Sequence, residues 1–205
     1  MDLGLSRIAM TCSPQECPVS LHHHQHPLIE RNVHSLRQAL DLLEQIDDRA
    51  YQQSPPGFAP HRIGGHLRHI LEFYECFLDG IESRYIDYDA RRRDESIERS
   101  RGAAMAKVQV IIRRLQSTAA LQGDSFVWVR TEDSQVDFVA EPFLSSSIGR
   151  ELQVLSSHTI HHFALIAMTL KAHGITVSRT FGMAPSTLRY LEERKRHAEA
   201  AWCAR

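Results

Sequence analysis

The chain has 205 residues, 42% of them hydrophobic and 24% charged, the balance of an ordinary globular protein with room for a core. A net charge of −1 gives no electrostatic reason to expect nucleic acid or an anionic membrane as partner. No apolar run approaches the ~20 residues of a membrane span, and the N-terminus lacks a secretory apolar stretch, so a cytoplasmic location is expected.

Residues 1–27 mix Ser, Pro, Cys and His without periodicity and read as a flexible arm. Its cluster His22, His23, His24 and His26 has no scaffold to fix a geometry. Residues 28–205 read as a single helical domain. The cysteines Cys12, Cys17, Cys76 and Cys203 form no CxxC pair and are expected to be unpaired.

Over 28–48, Val33, Leu36, Leu40, Leu43 and Ile46 recur at steps of three and four, the mark of an amphipathic helix. Gln52-Gln-Ser-Pro-Pro-Gly-Phe-Ala-Pro60 breaks it. A second helix over 61–82 buries Ile63, Leu67, Ile70, Tyr74, Phe77 and Ile81, and a connector rich in Arg, Asp and Tyr spans 83–94. A third helix over 95–121 turns Ile97, Val108, Ile111, Ile112 and Leu115 inward, with Gly123 as terminator. Residues 125–140 change to a pattern of Val, Trp and Phe around a polar centre, which predicts a short hairpin-like insertion. A fourth helix over 145–173 buries Ile148, Leu152, Leu155, Thr159, Phe163, Ile166 and Leu170. Pro185 opens a last helix to about residue 202, with Leu188, Leu191 and Ala198 inward. The fold class is all-α: a four-helix bundle with crossover connections.

Histidine is abundant, 13 in all. At about 100° per residue, His158 and His162 share one flank of the fourth helix's buried stripe, one turn apart, while His161 faces solvent. Such an i, i+4 pair can reach one ion, as in helical HxxxH sites. A metal needs a third ligand, and three protein ligands leave an open position. The second helix offers two. His66 is the more inward, and His69 lies on the matching flank; periodicity leaves that choice open.

The segment His66-Leu-Arg-His-Ile-Leu-Glu-Phe-Tyr-Glu-Cys-Phe77 resembles the second helix of the DinB/YfiT-like family of metalloenzymes, and His158-Thr-Ile-His-His-Phe-Ala-Leu-Ile166 resembles that family's HxxxH helix. The resemblance covers roughly residues 30–175. It implies an up-up-down-down bundle, often a homodimer, with His69, His158 and His162 binding zinc, nickel or iron. It also implies a metal-dependent transferase of the thiol S-transferase type, or a hydrolase, acting on a small-molecule substrate. The alternative it leaves is a non-catalytic stress or interaction protein with a structural metal.

Glu72 and Glu151, one turn after His69 and two turns before His158, are candidates to hold ligating imidazoles through their second N–H. Cys76 lies too far along its helix from His69 to share an ion. Arg91, Arg92 and Arg93 stand among acidic residues and predict local ion pairs, with Tyr88, Arg91 and Asp94 as candidates to line the open side of the metal.

Overall fold

In the computed structural model of the protein, residues 27–57, 61–122, 125–130 and 143–203 are described. The histidine-rich arm, Gly123 and the centre of the expected hairpin lie outside them. The described residues form seven α-helices and a small three-stranded sheet: α1 Pro27–Gln45, α2 Asp48–Gln52, α3 Ile63–Gly80, β1 Tyr85–Asp87, α4 Glu95–Arg99, α5 Arg101–Ser117, β2 Phe126–Arg130, β3 Leu144–Ser147, α6 Ile148–Ala172 and α7 Pro185–Cys203. None of these helices is long and apolar enough to cross a membrane.

The long helices form where the period of three and four predicts them, because each must bury one stripe. Their boundaries depend on caps. The first expected helix stops at Gln45, and Asp47 starts α2 by accepting the Ala50 N–H at 2.8 Å. The third expected helix divides at Ser100, which ends α4 and caps α5 through the Ala103 N–H at 3.2 Å. Ser147 ends β3 and caps α6 through the Arg150 N–H, so α6 starts three residues later than expected.

Helix α1 packs against α5 and α6, and α3 packs against the same two. Between them lies a core of Val33, Leu36, Leu43, Leu67, Ile70, Phe77, Val108, Ile111, Leu152, Leu155, Phe163 and Ile166, each fully or almost fully buried. One polar cluster crosses it. The buried Asn32 side chain donates to the carbonyls of Leu28 at 2.7 Å and Leu152 at 3.0 Å. It accepts from the Tyr74 hydroxyl at 2.6 Å, and that hydroxyl also meets Thr159 Oγ1 at 3.1 Å. These bonds set the register of α1, α3 and α6 at the level of His158, since a buried polar group left unpaired is costly.

The expected hairpin is instead a mixed sheet. β2 is central, parallel to β1 from the 83–94 connector and antiparallel to β3. The sheet rests on α3 through β1 and on α6 through β3. The inward set expected for α7 is also corrected: Leu191 is 43% exposed and Ala198 is exposed, so most of that helix lies on the surface.

Candidate metal centre

His66 and His69 stand on α3 beside the buried row Leu67, Ile70 and Tyr74; His158 and His162 stand on α6 beside Leu155, Thr159 and Phe163. Because α3 and α6 pack together, the flanks of their stripes meet. One nitrogen each from His69, His158 and His162 lie within 4.8 Å of one another. The ring centroids are 4.9 Å apart for His69 and His158, 4.7 Å for His69 and His162, and 4.5 Å for His158 and His162. Nitrogens bound at ~2.1 Å to a tetrahedral ion would stand ~3.4 Å apart, a contraction within the reach of small side-chain rotations. His161 is exposed, as the helical wheel requires.

His66 is placed beside the triad, not among its three nitrogens. Its Nδ1 is 3.0 Å from Nδ1 of His162, which leaves the Nε2 of His162 for an ion. The ring of His61 stacks on His66 from outside at 5.6 Å. Phe73 closes the opposite wall: it stacks on His158 at 4.3 Å, meets His69 edge-on at 4.8 Å and carries the Arg91 guanidinium 4.8 Å above its ring.

The two glutamates expected to hold the histidines do other work. Glu72 is buried and accepts from Arg68 and from the Asp94 backbone N–H at 2.7 Å. Glu151 is buried and accepts from Tyr88 at 2.9 Å and from Ser146. Tyr88 therefore gives its hydroxyl to Glu151 while its ring stacks on Phe73 at 5.0 Å, and Asp94 caps α4 through Ser96, so of the three candidates for the open side Arg91 and Tyr88 stand against the site's aromatic wall and Asp94 does not. The arginine run is not one local ion-pair network either: Arg92 reaches back to Asp79 on α3 at 3.3 Å. Cys76 is absent from the triad, and burial pushes its thiol up to about 11.

The imidazoles are held neutral. Burial, then the charge of neighbouring His158, Arg91 and Arg68, pulls His69 down to about 4. Burial, His161 and Arg91 bring His158 to about 4; burial and the surrounding histidines bring His162 to about 3. His66 is lowered by the same main cause. Neutral imidazole is the form that binds a metal. The buried Nε2 atoms of His158 and His66 have no hydrogen-bond partner, a state that costs ~1–3 kcal/mol per group and that an ion would relieve at His158. The residues thus fit a divalent ion in donor type, protonation and unsatisfied valence. The His66–His162 bond escaped sequence reasoning. The inward wheel position of His66 was its only trace.

No family model matches the chain, and no solved structure matches it. Among curated proteins, FK506-binding protein 5 of Rhizopus delemar is 32% identical over 108 residues, which is 53% of this chain and 28% of the relative. The chain thus spans well under two thirds of that relative's length. These findings overturn the DinB/YfiT-like assignment: no family model supports it, and the matched relative carries an unrelated name. The metal-dependent transferase or hydrolase that the assignment implied falls with it, as does the metalloenzyme description.

Proposed function

We propose that this protein is a metal-binding helical domain, a bundle of α1, α3, α5 and α6 that holds one divalent ion on His69, His158 and His162. The observation that carries this reading is the convergence of three neutral imidazole nitrogens from two helices, one of them buried without a partner. Imidazole donors suit zinc, nickel and iron(II) alike. Such an ion supplies a Lewis-acidic centre with an open coordination position. Around it the chain's own residues orient and shield: His66 fixes one ring of His162, and Phe73 excludes water from the other side.

The test is metal content per chain after chelation and reloading. About one ion per chain beyond that retained by His69→Ala and His162→Ala supports the reading, and His161→Ala should match the wild type. Comparison between variants cancels any ion held by the N-terminal histidines. Equal loss in His161→Ala and His162→Ala, or no difference among all the proteins, would sink it.

The relative's name favours a second reading, FK506 binding. Drug-sized ligands want predominantly apolar pockets. A cavity of about 280 Å³ between α1 and the 175–183 loop is lined instead by His34, Gln38, Asp41, Gln45, Ser178 and Thr180 beside a few apolar groups, so this reading ranks second. Saturable heat on calorimetric titration with FK506 would promote it; a flat titration would remove it.

A further inference from the structure

Away from the histidines, a cleft of about 390 Å³ opens between α1, α6 and the start of α7. Its floor follows from sequence spacing. Arg150, Gln153, Ser157 and Ile160 recur at steps of three and four along α6, so they form one row. Arg31 enters from α1, whose neighbour Asn32 is bonded to the Leu152 carbonyl and so holds Arg31 at the level of that row. Arg189 enters from α7. The start of α7 is brought there by the preceding loop, in which Phe181 stacks on Phe163 at 4.6 Å. Gly182 follows at φ +71, and a Cβ on it would meet the α6 backbone at Ala164 N, 2.7 Å away. Only glycine allows that approach.

Three arginines from three helices therefore line one cleft, and among the described residues no carboxylate lies within ion-pair distance of any of them. Glu151, next to Arg150, turns the other way into Tyr88 and Ser146. Like charges gathered without counterions repel one another, and an anion would relieve that repulsion. Two further features point to the same ligand. Ser156 is 3% exposed, lines the cleft, and its hydroxyl has no hydrogen-bond partner among the described residues. The N-terminus of the 19-residue helix α7, with Pro185 and Ser186, also opens into the cleft and offers unpaired backbone N–H groups.

We infer that this cleft is a binding site for a phosphorylated small molecule, its phosphate held by Arg31, Arg150 and Arg189 with Ser156 and the start of α7. Guanidinium forks match phosphate oxygens two at a time. The cleft has room for an organic group beside the phosphate. The site is separate from the histidine triad and does not depend on it.

Calorimetric titration of the full chain with pyrophosphate, in EDTA so that no ion on the histidines recruits it, tests the assignment. One saturable site per chain is expected. It should weaken about tenfold or more in Arg150→Ala and in Arg189→Ala, and should be unchanged in Arg113→Ala, an exposed arginine on α5 that removes the same charge. These arginines are exposed, so the variants should fold, and circular dichroism checks that they do. No saturable binding, or equal weakening in all three variants, would overturn the site. Sedimentation with phosphatidic-acid vesicles without pyrophosphate binding would overturn it in favour of a membrane surface.

Discussion

Replacing His66 by Phe asks whether that residue ligates the ion or positions a ligand. The substitution keeps an aromatic ring against His61 and His162 but removes the nitrogen that lies 3.0 Å from Nδ1 of His162. With an ion on Nε2, His162 carries its proton on Nδ1, and the bond to His66 holds that tautomer. Without it, the neutral ring divides between two tautomers and swings about its own axis. Partners of this kind are worth about 10- to 100-fold in metal affinity, or ~1.4–2.7 kcal/mol. His66→Phe should therefore bind one zinc ion with a dissociation constant raised by that factor, measured by competition with a chromophoric chelator. His61→Phe, which changes only the outer stacked ring, should stay within about twofold of the wild type, because it touches no bond to the triad. Loss of the ion altogether would make His66 a ligand in its own right. An affinity equal to the wild type would refute the positioning role.

Two other predictions concern stability. Asn32→Ala removes two donated bonds and the acceptor for Tyr74 in a fully buried cluster, and should cost ~2–4 kcal/mol in urea unfolding. A loss under ~1 kcal/mol would show that the cluster does not set the register of α1, α3 and α6. The pH dependence of the metal-free protein follows from His69 and His158 at about 4 and His162 at about 3 in the fold, against the ordinary 6.5 in the unfolded chain. Because the folded values are depressed, the unfolded chain binds more protons below pH 6.5. Stability should be level above that pH and fall as pH drops toward 4. The urea midpoint at pH 5 relative to pH 7 should recover in a variant carrying Asn at all three positions; the same drop in both proteins would refute the assignment.

Much of the helical framework was legible from apolar spacing alone. The inward positions Val33, Leu67, Tyr74, Val108, Leu155 and Ile166 are buried as the period requires, because a helix has one stripe to hide whatever covers it. The same logic put His158 and His162 on one flank and His161 in solvent. Helix ends were less legible. Ser100 and Ser147 act as caps only because the chain turns there, and serine is common where it does not. The sheet was hidden for a different reason. Tyr85–Asp87 is three residues long, too short for a period, and pairs with Phe126–Arg130 some forty positions away. The choice between His66 and His69, and the duties of Glu72 and Glu151, depended on how α3 lies against α6. Spacing along one helix sets the face of a side chain, not which residue of the neighbouring helix stands opposite it. That was decided by the packing of α1, α3 and α6 around Asn32, a long-range contact that no local pattern contains.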